Sequence, residues 1–350
     1  MNSPKKIALY PGDGIGPEVT DATVEVLKAL AQRGGRARLE FTRFDWGVDY
    51  HDKHGKVMPD NFLELLRPFD AVFLGAVGFP TRLPDHVTLV PLIRMRQAFD
   101  LYACVRPART FEGVPKPLIS DKKIDMIVLR ENSEGEYVDN GGRFRKGTPH
   151  EIAVQTAVHS RRGVERILRF GFELARGRRH HLTMITKSNA QKYSYVMWDE
   201  ILEELAPQYS DVTTAREHID AAAMNFVRRP EAFDVVVSSN LFGDILSDLS
   251  GGIIGGLGLN PSANLNPERA FPSLFEPVHG SAPDIAGKGI ANPVGAILSG
   301  AMMLDWLGAP EDAKRIQAAV EGALSAGQAT CDLGGKLSTT KAAAAIIERL

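Results

Sequence analysis

The run Phe233-Asp234-Val235-Val236-Val237-Ser238-Ser239 is short, apolar and β-branched, the composition of a strand buried on both faces. Directly after it, Asn240-Leu241-Phe242-Gly243-Asp244-Ile245-Leu246-Ser247-Asp248 reads as the start of a helix. A buried strand feeding a helix without a long linker is the unit of parallel α/β architecture. Further apolar strands are read at Lys6–Tyr10, Asp70–Gly78, Ile124–Arg130 and His181–Thr186, alternating with helices along the chain. An α/β fold with parallel pairings therefore accounts for most of the sequence. Within the opening stretch, Asp244 and Asp248 are four residues apart and share one helical face. Two stacked carboxylates repel, so two readings stay open at this point. They hold a divalent cation through oxygen ligands, or they are solvated side chains favoured by the positive end of the helix.

With 350 residues, the chain is long enough for one large or two medium domains. A net charge of −2 gives no electrostatic reason to expect nucleic acid or a membrane surface as partner. Two cysteines, Cys104 and Cys331, build no disulfide framework and fit a reducing compartment. No apolar run approaches the ~20 residues of a membrane span, and none reads as an export signal. The expectation is a cytoplasmic protein.

The strand Lys6–Tyr10 ends in Pro11-Gly12-Asp13-Gly14-Ile15-Gly16-Pro17-Glu18, and a helix runs from there to about Gln32. This is nearly a dinucleotide-binding glycine turn, but Pro17 stands where its third glycine belongs, so a Rossmann reading carries little weight. Residues 79–92 contain three prolines and read as a loop entering a helix that carries Arg94 and Arg96. The following strand is expected to end at Arg106-Pro107. Glu151–His159 alternates apolar and polar residues as a half-exposed strand does, and a basic helix follows over Ser160–Ala175. Gly251–Gly256 reads as a glycine-rich tail to the helix begun at Asn240. Phe275–Asp284 has the turn-formers of a functional loop, and helices 293–307, 311–326 and 339–349 close the chain.

Arg106, Arg130, Lys187, Asp220 and Asp244 all fall at or near the ends of apolar strands, where open α/β sheets bind ligands. Guanidinium forks grip carboxylates or phosphates in bidentate fashion. Three arginines with an acidic pair suggest a small anion chelated to a cation. No phosphate-binding loop of the G-x-x-x-x-G-K-[ST] type is present. Spacing alone thus reaches a metal-dependent enzyme acting on a small anion and does not name the reaction.

Gly12–Glu18, Arg130-Glu131-Asn132, Asn240–Asp248 and Glu276–Asn292, taken together and in order, resemble the decarboxylating dehydrogenases of 2-hydroxy acids. That family includes the isocitrate, isopropylmalate and tartrate/D-malate enzymes, and the likeness spans essentially the whole chain. It implies a two-domain α/β fold of the isopropylmalate dehydrogenase kind, distinct from the Rossmann fold, with a mixed central sheet flanked by helices. It further implies a discontinuous cofactor-side domain, 1–102 with 258–350, and a substrate, metal and dimerisation domain, 103–257. By resemblance, Arg96, Arg106 and Arg130 clamp the substrate carboxylates, Tyr137 is the general acid and Lys187 the general base. Asp244 and Asp248 are the implied metal ligands. Asp220 and Lys187 are implied to arrive from the other subunit of a homodimer with shared active sites. The glycine turn, Glu276, His279, Gly280, Ser281, Ala282, Asp284 and Asn292 are implied to form the cofactor pocket.

The resemblance implies NAD and Mg2+ or Mn2+ as cofactors and leaves room for K+. Asp284-Ile285 stands where NADP-preferring relatives resemble a Lys-Tyr pair, and a carboxylate there repels a 2′-phosphate, so NAD is expected. Arg130–Tyr137 and Pro84–Leu89 look most like the tartrate/D-malate branch. That branch more often has a Trp at Val90-Pro91, and an apolar pocket around Val90, Leu92 and Ile93 keeps isopropylmalate as an alternative substrate. A non-catalytic regulatory subunit is the alternative from another class. Tyr137, Lys187, Asp220, Asp244 and Asp248 are all intact, which argues against it.

Overall fold

A computed structural model describes residues 3–118 and 122–350. Ten strands form one sheet: β1 (Lys5–Gly12), β2 (Leu39–Arg43), β3 (Ala71–Ala76), β4 (Ala103–Arg109) and β5 (Asp125–Glu131) come first in the chain. A separate two-stranded ribbon, β6 (Gly141–Phe144) with β7 (Ile152–Gln155), interrupts them. The sheet resumes with β8 (His181–Thr186), β9 (Thr213–His218), β10 (Val235–Ser238), β11 (Pro261–Leu265) and β12 (Ser273–Pro277).

The strand order is β2-β1-β3-β12-β11-β4-β5-β10-β8-β9. Pairings are parallel in both wings and antiparallel at the centre, where β12, β11, β4 and β5 meet. The sheet is mixed, as the resemblance implies. In the β1–β3 wing, alternate side chains feed two cores. Ile7, Leu9, Ala71 and Phe73 join the larger one, and Ala8, Tyr10, Val72 and Leu74 pack with Trp46, Phe62 and Phe99 on the other face. Burial on both faces explains why these segments read as unbroken apolar runs. The outermost strands, β2 and β9, carry Glu40, Arg43, Arg216 and Glu217 and are partly exposed, which discourages pairing with another sheet.

Several sequence expectations shift. The helix begun at Asn240 runs to Ile254, so Gly251 and Gly252 lie inside it and the tail is only Gly255-Gly256. Phe275–Pro277 is strand, and the loop begins at Val278. The β4 strand continues through Pro107 to Arg109, which it can do because only β5 pairs with it there, while β11 covers Ala103–Val105 alone. Ile152–Gln155 is exposed at every residue instead of alternating, because its ribbon joins no larger sheet among the described residues. Ser160, read as the first helical residue, instead lies just outside the helix Arg161–Arg176 and caps it, accepting from Gly163 N–H at 3.0 Å. No helix among the described residues is long and apolar enough to cross a membrane.

Candidate active site

The polar groups converge on the antiparallel centre of the sheet. Cys104 pairs in register with Arg130, and Arg106 lies two residues along from Cys104, so all three project from one face. On the same face of β11 and β12, Ser262 is paired with Glu276 and Asn264 with Cys104. Arg106 therefore sits in mid-strand, not at a strand end, and reaches the cleft by the pleat.

Above this face lies the helix Asn240–Ile254. Gly243 permits its close approach: a Cβ there would stand 2.6 Å from Arg130 Cβ. Arg130 donates Nε and Nη2 to Asn240 Oδ1 at 2.9 and 2.6 Å. Asn240 in turn donates to the Glu134 carbonyl at 2.8 Å, tying down the loop that brings in Tyr137. Asp244 Oδ1 accepts from Arg106 Nη1 at 2.9 Å and from Arg130 Nη1, while Oδ2 accepts from the Tyr137 hydroxyl at 2.7 Å. Burial alone would raise the Asp244 carboxyl, but Arg130 and Arg106 overcome it and hold its pKa at about 2. Burial and the neighbouring Asp244 carboxylate both raise the Tyr137 hydroxyl, so it keeps its proton at neutral pH. Its ring lies under the Arg130 guanidinium, 5.1 Å from the centroid.

A cleft of about 190 Å³ opens here. Arg96, Arg106, Arg130, Tyr137 and Asp244 form its charged wall, and Val77, Leu89, Leu92, Ile93 and Val278 its apolar one. Val90, expected in the apolar pocket, instead points out at 47 % exposure. Arg96 Nη2 is paired with Glu276 at 2.7 Å. Arg96 Nε and Arg106 Nε are buried without a protein partner.

Glu276, His279 and Gly280 border the same cleft, and the chain then runs against the glycine turn. Ile15 N–H donates to the Ser281 carbonyl at 2.8 Å, and a Cβ on Gly14 would stand 2.0 Å from that oxygen. Only glycine fits there, which gives the turn a packing reason independent of any Rossmann fingerprint. His279 Nδ1–H donates to the Gly280 carbonyl at 2.9 Å, and burial lowers its pKa. The neutral ring therefore presents Nε2 as an unpartnered acceptor, suited to an amide or hydroxyl of a bound dinucleotide. Ala282 adopts φ 39°, Asp284 is exposed, and Asn292 is engaged at both ends by Asp332 and Val294. Asp13, within the glycine turn, has a packing role of its own. It is buried and accepts from Val48 and Gly78 N–H at 2.7 and 2.8 Å, joining the turn to the loop before the Arg96 helix.

Within one chain two expected residues stay apart from this cluster. Lys187 lies at the end of β8, paired with Asp220 at 2.8 Å, and neither borders the cleft. Asp248 is exposed one turn beyond Asp244 and has no side-chain partner among the described residues. Asp244 and Asp248 offer hard oxygen donors from one helix face, which suits Mg2+ or Mn2+. No group of three acidic, His or Cys side chains is assembled among the described residues.

The isocitrate/isopropylmalate dehydrogenase family matches over residues 6–348. This chain belongs to that family. It is thereby an oxidoreductase of the decarboxylating dehydrogenase kind, in a family that works with divalent metals and nicotinamide cofactors. It is 50 % identical to the D-malate dehydrogenase [decarboxylating] of Escherichia coli (strain K12), over 99 % of this chain and 98 % of the relative. It is 49 % identical to the tartrate dehydrogenase/decarboxylase of Pseudomonas putida, over 99 % and 97 %. The crystal structure of isocitrate dehydrogenase from Methylococcus capsulatus superposes with a TM-score of 0.90 at 39 % identity, covering 99 % of both chains.

Proposed function

We propose that this member of the family carries out NAD-dependent oxidative decarboxylation of a small 2-hydroxy diacid, D-malate or tartrate, with Mg2+ or Mn2+. The observation that carries the reading is the cleft itself, where three buried arginines share one wall with Asp244, and Arg106 and Arg130 are paired with it directly. Arg96, Arg106 and Arg130 bind the two carboxylates and orient the carbon between them. Asp244 and Asp248 hold the cation, joined by the partner subunit's Asp220. The bound cofactors supply a Lewis acid at the hydroxyl and a hydride acceptor at carbon. Lys187 of the partner subunit takes the hydroxyl proton. Tyr137, protonated at neutral pH, gives a proton to carbon after carbon dioxide leaves. Asp284 favours NAD over its 2′-phosphorylated form by charge. The assignment of 1–102 with 258–350 to one domain and 103–257 to another is supported by the strand order, since β2, β1, β3, β12 and β11 lie together on one side of β4.

The apolar wall of Val77, Leu89, Leu92, Ile93 and Val278 favours a second reading, in which a 3-alkylmalate such as isopropylmalate is the substrate. A panel of D-malate, tartrate, isopropylmalate and isocitrate, followed by NADH absorbance with Mn2+ present, separates the two. Highest kcat/KM with D-malate or tartrate is expected. Best turnover with isopropylmalate promotes the second reading, and no metal-dependent turnover with any diacid overturns both. Mixing inactive Lys187→Ala and Tyr137→Phe proteins tests the shared site: recovery of activity in the hybrid is expected, and none in a verified hybrid dimer refutes it.

A further inference from the structure

The two sides of the anion site are joined by a buried relay that no catalytic role requires. Arg130 on β5 is followed two residues later by Asn132, whose Nδ2 donates to Asn264 Oδ1 at 2.8 Å. Asn264 Nδ2 donates to Glu276 Oε1 at 2.8 Å, and the same oxygen accepts from Arg96 Nη2 at 2.7 Å. Asn264 is 0 % exposed and lies on β11, the strand between β12 and β4, where the antiparallel centre begins. Its amide orientation is fixed by its partners, because an ionised Glu276 can only accept and the Asn132 amino group can only donate. Neither neighbouring chemistry would serve. Aspartate would set two carboxylates against each other, and leucine would leave Glu276 one donor short and the Asn132 amino group one acceptor short.

We propose that Asn264 is a positioning residue that sets the separation of Arg96 from Arg106 and Arg130, and so the length of diacid the cleft accepts. Arg96 stands on the helix Val90–Ala98, and Arg130 on β5, with no direct contact between them. Their spacing is transmitted through Glu276, Asn264 and Asn132, three side chains that are all at least nine-tenths buried. A rigid spacer of this kind turns two independent carboxylate grips into a caliper. The inference rests on the diacid reading above.

The test uses chain length as its readout. Thermal stabilisation of the full-length protein by malonate, succinate and glutarate reports binding without turnover. The wild type is expected to show a single preferred length. Asn264→Leu is expected to lose that preference and bind the best diacid roughly tenfold more weakly. Asn264→Ser, smaller and still polar, is the milder variant should the first fold poorly, and it is expected to broaden the preference. Asn266→Ala is the control: it removes a buried asparagine that accepts from Ala270 N–H, and should lower stability while keeping the length preference. Either Asn264 variant with the wild-type length preference, or a wild type with none, overturns the proposal. Failure of the substrate panel with the length preference present and lost in the variants would instead remove the functional reading and leave the caliper standing.

Discussion

The inner strands of the parallel wings, β3 and β10, and the strands of the antiparallel centre are buried alike but are built from different side chains. In β3 and β10 nearly every residue is apolar and packs into a core on one face or the other. In β4, β5, β11 and β12 one face instead buries Arg106, Arg130, Ser262, Asn264 and Glu276, and each side chain finds a hydrogen-bond partner, Ser262 the Cys104 thiol. Hydrophobic burial holds the wings at about 25 cal/mol per Å² of apolar surface, with little dependence on which neighbour supplies the contact. The centre is held by charge pairing in a dry setting, where losing one partner strands another. A wing residue is therefore expected to matter for stability alone, and a central one for both stability and chemistry.

Asp244→Asn tests the centre most severely. It should cut kcat by about a thousandfold and destabilise by about 3 kcal/mol, because two buried guanidiniums lose their counter-charge. Steady-state NADH formation and urea unfolding measure the two effects, and a stable, active variant would erase the distinction. Phe73→Ala in the wing should cost a similar or slightly larger stability, about 3–5 kcal/mol, with kcat/KM per folded molecule unchanged. A kinetic defect at temperatures where it is folded would show that the wings also tune the site.

Glu131, at the end of β5, sharpens the comparison through pH. Burial raises its pKa to about 7, against the opposing hydrogen bonds of Ser133 and Glu134. Its folded pKa lies above the unfolded value of 4.5, so the folded state holds the extra proton between them. Stability from this group is therefore full at low pH and is lost as pH rises toward 7, by roughly 3 kcal/mol at most. The difference in unfolding free energy between wild type and Glu131→Gln should slope across that window and be flat above it. A difference independent of pH would assign Glu131 an ionised state throughout. At the sheet edge, Arg43→Ala on β2 removes exposed ion pairs with Asp21 and Asp45 and should change stability by less than about 1 kcal/mol.

Legibility follows the same division. The β10 strand, the helix after it and the basic helix Arg161–Arg176 are readable because their signals are local: β-branched runs and helix-forming stretches bounded by turn residues. The arginines and Asp244 could be singled out as charges at apolar boundaries, and the family likeness attached roles to them. The β11 strand, Pro261-Ser262-Ala263-Asn264-Leu265, gave no such signal, since proline, serine and asparagine spell a loop by propensity. It is a strand because β12 and β4 pair with it on both sides. Asn240 carries no local signal of its task, which exists only where folding sets Arg130 against it.

By itself the sequence determined the α/β class, most strands and helices, the charged residues suited to an anion and a cation, and the likeness to a dehydrogenase family. Only the tertiary structure decided that Arg96 meets Glu276, 180 residues away, and that Asn132 meets Asn264, 132 residues away. The physical reason is range. Propensity, capping and periodicity act over a few residues, whereas a buried polar contact exists only where folding brings two distant donors and acceptors out of water together.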